Sequence, residues 1–273
     1  MTFQDMLEGA VKKNNSLLCV GLDPDMSKIP GHIKNSTSAL FEFNKAIIDA
    51  TADLVCVFKP NAAFYESFGT DGIEQLKETI AYINEKYPDI PVILDAKRAD
   101  IGNTNNGYVN FVYEFLGANA VTLHPYLGRE ALEPFLRLSD KGAIVLCRTS
   151  NPGAGEFQNL IVEGMPMYEY VAARVTTEWN SNKNCLLVVG ATYPEEMKSI
   201  RSIVGPEMVF LVPGIGAQGG DVEASMKAGL GANGRGLILS SSREILYASS
   251  DEDFAQAARA KALETRDEIN KYR

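Results

Sequence analysis

Eight short apolar runs rich in β-branched residues recur along this chain, and most are separated by stretches of helical period. They are Leu17–Asp23, Leu54–Asn61, Val92–Lys97, Ala120–His124, Ala143–Arg148, Leu186–Ala191, Val209–Pro213 and Leu237–Ser241. They lack clean apolar/polar alternation, the pattern of strands buried on both faces of a parallel sheet. Between them, Ile73, Leu76, Ile80, Ile83 and Tyr87 mark one amphipathic helix, and Tyr108, Phe111, Val112 and Phe115 mark another. Two helices stand outside the repeat. Phe3, Met6, Leu7, Ala10 and Val11 form an apolar stripe suited to plugging a barrel floor, and the segment from Asp251 onward returns the chain to the outer ring. Eight-fold strand–helix alternation without a Pro/Gly/Ser-rich linker predicts one α/β domain over residues 1–273, a closed (β/α)8 or TIM barrel with an extra N-terminal helix. A doubly wound open sheet is the alternative.

Composition narrows the partners. A chain of 273 residues, 45% of them hydrophobic, can bury one large core, although length alone also permits two smaller domains. Against 26 basic residues stand 35 acidic ones, net −9, with no basic run, so nucleic acid and anionic membranes are poor partners. An anionic substrate would have to be received by individual Lys and Arg residues against the field of the whole protein. The N-terminus carries no basic segment followed by an apolar stretch, and no apolar run approaches a membrane span, which predicts a cytoplasmic protein. Cys19, Cys56, Cys147 and Cys185 lie singly inside apolar runs and read as reduced core residues.

In such a barrel the active site lies at the C-terminal ends of the strands, so the polar residues that close each run carry the information. The first run ends in Gly21-Leu22-Asp23, the second in Phe58-Lys59-Pro60-Asn61, the third in Asp95-Ala96-Lys97-Arg98-Ala99-Asp100. Period-two geometry puts Asp95 and Lys97 on one face of the third strand, with Lys59 within reach from its neighbour. A structural ion-pair network is the bland alternative, but buried charges cost several kcal/mol each unless well paired, so such a cluster needs a functional reason. Asp23 by itself reads equally as the opener of an Asp-Pro turn.

A second cluster follows the last two strands, where this architecture frequently holds phosphate. Pro213-Gly214-Ile215-Gly216-Ala217-Gln218-Gly219-Gly220-Asp221 leads into a helix, and its glycines let backbone N–H groups approach an anion at the helix N-terminus. Ser240-Ser241-Ser242-Arg243 then supplies a guanidinium suited to bidentate phosphate binding. The Gly214-x-Gly216-x-x-Gly219 pattern resembles a dinucleotide fingerprint, but it comes late in the chain and the following strand ends without an acidic ribose ligand. A third cluster, Arg148-Thr149-Ser150-Asn151-Pro152-Gly153-Ala154-Gly155, could recognise a planar polar ring or be an ordinary turn. His32 in a loop and His124 at the barrel rim share no metal-ligand spacing with carboxylates, so no metal is implied.

Taken together, these motifs resemble the orotidine 5'-monophosphate decarboxylase family. Leu94-Asp95-Ala96-Lys97-Arg98-Ala99-Asp100-Ile101-Gly102-Asn103-Thr104 is similar to its signature. Val20-Gly21-Leu22-Asp23, Phe58-Lys59-Pro60-Asn61, Thr149-Ser150-Asn151-Pro152-Gly153 and Pro213 to Asp221 follow in the family's order. The Arg-Ala insertion at 98–99 and the Asn233-Gly234-Arg235-Gly236 approach to the last strand look like the longer bacterial and protozoal branch.

The resemblance implies metal-free, cofactor-free conversion of orotidine 5'-monophosphate to uridine 5'-monophosphate, the last step of pyrimidine nucleotide synthesis. It assigns Lys97 as stabiliser and proton donor for a carbanion at ring carbon six. Asp95 would sit beside the departing carboxylate, and with Lys59 it would hold Lys97 in place. Asp23 and Lys59 are implied as ribose contacts, Ser150 as the pyrimidine-edge contact, Gln218 and Arg243 as the phosphate site, and Pro152 and Gly216 as further substrate-binding residues. Arg235 is a second basic candidate near the phosphate. Asp100, Ile101 and Thr104 are implied to complete the site of the other subunit in a homodimer. The competing readings are a related magnesium-dependent sugar-phosphate barrel, in which an acidic ligand replaces the second-strand lysine, and a non-catalytic phosphate-binding barrel.

Overall fold

The computed structural model describes residues 1–215 and 219–273. Each of the eight apolar runs overlaps a strand, three of which extend one residue beyond their run: β1 (Leu18–Leu22), β2 (Val57–Pro60), β3 (Ile93–Arg98), β4 (Ala120–Leu123), β5 (Gly142–Arg148), β6 (Cys185–Val189), β7 (Phe210–Pro213) and β8 (Leu237–Ser241). All adjacent pairings are parallel, in the order β2-β1-β8-β7-β6-β5-β4-β3. Isolated bridges between Phe58 and Val92 and between Asn61 and Asp95 bring β2 to β3, so the sheet curls into a nearly closed barrel. The closed-barrel expectation holds, and the open sheet does not. Every residue of β1, β2, β4, β6 and β8 is buried, which accounts for their lack of alternation.

The floor is plugged as the stripe at the N-terminus suggests. Helix α1 (Phe3–Lys13) starts with a capping box between Thr2 and Asp5 and buries Phe3, Leu7, Ala10 and Val11, while Met6 is only half-covered. A side chain at Gly142, the first residue of β5, would lie 2.8 Å from the Phe3 ring. The C-terminal helix α2 (Phe254–Asn270) packs on the outer face, with Phe254 stacked on Phe43 at 5.3 Å. His32 sits in a single helical turn (Gly31–Lys34) rather than a loop, its ring 5.9 Å from Phe254. The four cysteines are buried and unpaired, as the runs around them imply. Among the described residues, no helix is long and apolar enough to cross a membrane.

One strand departs from regularity. From Leu94 to Arg98 β3 uses four steps where its partner β4 uses two, from Val121 to Leu123, so the ladder is broken by a bulge opposite Thr122. Inside the bulge Lys97 adopts φ 47°, a left-handed conformation that costs a non-glycine residue about 1–3 kcal/mol.

Candidate active site

The strand ends enclose a cavity of about 770 Å³ whose lining includes Asp23, Lys59, Asp95, Lys97, Ser150 and Arg243. Six of the twelve site residues proposed from sequence therefore meet at one place. Gly216 and Gln218 lie outside the described residues.

At the β2–β3 side, Asp95 is the hub. Its Oδ2 lies 3.3 Å from Lys59 Nζ, and its Oδ1 accepts from Lys97 Nζ at 2.7 Å and from Thr122 Oγ1 at 2.9 Å. Lys59 is almost fully buried, whereas half of the Lys97 side chain, 51%, remains exposed to the cavity. Burial works against charge on Asp95, but the Lys59 and Lys97 ammoniums, with the Lys97 and Thr122 hydrogen bonds, outweigh it and hold the carboxyl well below its usual range. Burial likewise opposes charge on Lys59, and Asp95 and Asp23 more than compensate, so its pKa is raised. The result is a charged row with a half-open ammonium at its end. Such an ammonium can stabilise negative charge developing in the cavity and deliver a proton to it.

Asp95 and Lys97 do share a face, but not by simple alternation along a regular strand. The bulge and the left-handed Lys97 backbone turn the two side chains together. Asp23, closing β1, accepts from Asn61 N at 3.2 Å, and its carbonyl accepts from Tyr247 Oη at 2.9 Å. Tyr247 Oη also accepts from Asp25 N at 2.7 Å, so a residue far along the chain fixes the loop after β1.

On the opposite wall, Ser150 is seated against β6. A side chain at Gly190 would lie 2.9 Å from the Ser150 backbone nitrogen and Cβ, so glycine alone lets the two backbones approach this closely. Gln158 ties the loop down by accepting from Thr149 N at 2.9 Å and donating to Thr149 Oγ1 at 2.8 Å. Arg148, read from sequence as part of a polar site loop, is instead buried beneath it. Its guanidinium lies 3.7 Å from the Tyr193 ring centroid and donates to Gln158 Oε1 at 3.1 Å. Pro152 is exposed and opens a short 3-10 turn (Pro152–Ala154) outside the cavity lining, where its fixed φ serves the turn.

Arg243 stands exposed at the third edge, just after β8, near Gly214 and Ile215. The helix after the glycine-rich loop (Val222–Gly229) is capped by Asp221, whose carboxylate accepts from Ala224 N at 2.8 Å. That carboxylate takes up one of the free amides of the helix N-terminus. Arg235 is not near the site. It precedes β8 at the floor and lies 3.6 Å from Glu8 of α1.

Asp100, Ile101 and Thr104 turn away from this cavity. The Asp100 carboxylate accepts from Ile101 N at 2.7 Å, Ile101 is 60% exposed, and Thr104 is also exposed. Asn105 fixes the turn by accepting from Asp100 N at 2.9 Å and donating to the Asp100 and Ala131 carbonyls. Residues that sequence reasoning missed are Thr122, Tyr247 and Gln158. Thr122 and Tyr247 act through hydrogen bonds that bridge distant segments and Gln158 through bonds across its own loop, for which a linear motif gives no signal.

This geometry can be set beside known proteins. Residues 16–260 match the Orotidine 5'-phosphate decarboxylase / HUMPS family. The chain is 56% identical to an orotidine 5'-phosphate decarboxylase of Dechloromonas aromatica (strain RCB), covering 100% of both chains. It superposes on the Leishmania donovani OMP decarboxylase with a TM-score of 0.87 at 40% identity, covering 100% of this chain and 98% of that one. Against the Leishmania donovani UMP synthase the TM-score is 0.89 at 42% identity, and this chain spans 56% of that longer protein. Barrel, charged row and full-length similarity agree, and the chain belongs to the orotidine 5'-phosphate decarboxylase / HUMPS family.

Proposed function

We propose that the chain acts as one catalytic domain, in the cytoplasm, that converts orotidine 5'-monophosphate to uridine 5'-monophosphate and CO2. The observation that carries this reading is the Lys59–Asp95–Lys97 row facing a cavity that Arg243 also lines. Arg243, with Gly216 and Gln218, holds the phosphate, Asp23 and Lys59 the ribose hydroxyls, and Ser150 the pyrimidine edge. In the reaction the bond from ring carbon six to its carboxylate breaks. The electron pair stays on carbon six in the ring plane, outside the π system, and CO2 departs. The carboxylate lies beside Asp95, and Leu146, Val188 and Leu211 give the cavity apolar wall that suits neutral CO2 better than its anion. The Lys97 ammonium stabilises the carbanion and then transfers one proton to carbon six, and the resulting amine is reprotonated from solvent. Phosphate binding far from the reacting carbon supplies energy to exclude water around it.

The reaction needs no metal in this reading. Lys59 pairs with Asp95 and is drawn electrostatically to Asp23 as well, so a divalent cation held by these carboxylates would have to displace its ammonium. The test is purified protein incubated with orotidine 5'-monophosphate in excess chelator. Stoichiometric uridine 5'-monophosphate and CO2 are expected, and unchanged substrate would overturn the assignment.

The reading extends to a homodimer in which Asp100, Ile101 and Thr104 of each chain complete the partner's site, supported by their outward placement. Lys59→Ala and Asp100→Ala proteins should each be nearly inactive, and mixing them should restore activity. A two-fold dimer holding one of each has one intact site, so random exchange leaves about a quarter of all sites whole. Demonstrated subunit exchange without recovery would place Asp100 in its own chain's site or in none.

A further inference from the structure

The bulge in β3 leaves backbone groups without ladder partners, and one side chain takes them over. Thr122, fully buried in the middle of β4, accepts from Ala96 N at 3.0 Å and from Lys97 N at 2.9 Å, and donates its single hydroxyl proton to Asp95 Oδ1 at 2.9 Å. All the hydrogen-bonding capacity of the hydroxyl is thereby used on the charged row. One carbonyl of the bulge, Ala96 O, accepts from Arg98 Nη1 at 3.3 Å, and Arg98 is itself paired with Glu66. No other described group bonds the Ala96 and Lys97 amides, so the left-handed Lys97 backbone depends on this hydroxyl.

We infer that Thr122 is a positioning residue for the decarboxylation: its hydroxyl holds the bulged backbone and the Asp95 carboxylate in the one arrangement that points the Lys97 ammonium at the reacting carbon. The inference rests on the proposed reaction. It makes a distinction a purely structural residue would not, because Thr122 touches the proton donor's backbone and its carboxylate partner but none of the phosphate-binding residues. Loss of the hydroxyl should misplace Lys97 while nucleotide binding survives.

The test compares Thr122→Val, which keeps the shape and deletes the hydroxyl, with Thr122→Ser, which keeps the hydroxyl. In Thr122→Val kcat should fall about 100-fold, as misplacement of roughly 1 Å does, with KM within about threefold of the parent. Thr122→Ser should stay within about fivefold of the parent. Exchange of the Ala96 and Lys97 amides, which needs no substrate, should quicken in the valine variant and not in the serine variant. If Thr122→Val does not fold, Thr122→Ala against Thr122→Ser makes the same comparison. Parent-like turnover in the hydroxyl-free variant overturns the inference, as do equal losses in both variants or a KM rising in step with the fall in kcat. If the unmodified protein leaves orotidine 5'-monophosphate unchanged, the decarboxylase reading itself fails and the positioning role falls with it. An active parent with an unaffected valine variant removes Thr122 alone.

Discussion

Two sets of cations at opposite ends of the barrel are satisfied in opposite ways. At the floor, Arg201 directs its guanidinium to neutral carbonyls, those of Gly205, Met208, Gly229 and Gly236, at 2.6–3.0 Å, with the Phe210 ring 3.8 Å away. Burial without a carboxylate pushes its pKa down to about 10. At the rim, Lys59 and Lys97 share the carboxylate of Asp95, and the pKa of Lys59 moves the other way. The floor cation closes backbone valences between the segments entering β7 and β8, and leaves no charge for a ligand. The rim cluster leaves an ammonium half open to a cavity. A charge that only holds a fold together has no need of that exposure.

The comparison can be broken from either end. On the ligand side, Arg243→Ala should weaken phosphorylated nucleotides by roughly 10²- to 10³-fold, the range for truncating one partner of a hydrogen-bonded charge pair, and leave the unphosphorylated nucleoside almost unaffected. Titration calorimetry with both ligands checks this, and equal weakening would remove Arg243 as the phosphate anchor. On the stability side, Arg201→Met should cost about 3 kcal/mol or somewhat more, because the carbonyls of Gly205, Met208 and Gly229 lose their guanidinium donor while Gly236 keeps only Phe210 N. For a chain of this size that lowers the thermal midpoint by roughly 6–12 °C. Below the transition, kcat per folded molecule should not change. A fall in kcat at full folding would show that the floor is not merely structural.

The smallest effect sharpens the boundary of the rim. Gly190→Ala places a methyl 2.9 Å from the Ser150 backbone and should displace the pyrimidine-edge contact, raising KM about tenfold, near the cost of one lost hydrogen bond to a ligand. The far smaller effect expected at kcat separates this wall from the charged row. An unchanged KM would mean that Ser150 does not contact the substrate.

The same contrast explains what the linear chain revealed. Strand positions were legible because burial on both faces demands uninterrupted β-branched runs, and the cluster Lys59, Asp95 and Lys97 was legible because charges closing such runs are costly. The bulge was not. Nothing in Asp95-Ala96-Lys97 announces a left-handed lysine, since the hydroxyl that accepts from its amide lies on the next strand. The loop that Arg148 opens reads equally as a ring-recognition element or an ordinary turn, and only the fold brings Tyr193 and Gln158 to bury its guanidinium. Arg235 was misleading because two basic residues flank β8 and only the strand's direction says which reaches the rim. Tyr247 stays hidden in the sequence because its partners, Asp23 and Asp25, lie more than 220 positions away.

In the proposed reaction the half-open ammonium of Lys97 carries the chemistry while the rest of the site carries binding. The most direct test is Lys97→Ala with orotidine 5'-monophosphate under single-turnover conditions, alongside uridine 5'-monophosphate binding by the same protein. Removing the proton donor and its charge should slow decarboxylation by about 10⁴-fold or more, the upper range for a general acid compounded by lost electrostatic stabilisation, while product affinity changes less than about tenfold. Turnover by the alanine variant at a rate near that of the parent would contradict that role for Lys97.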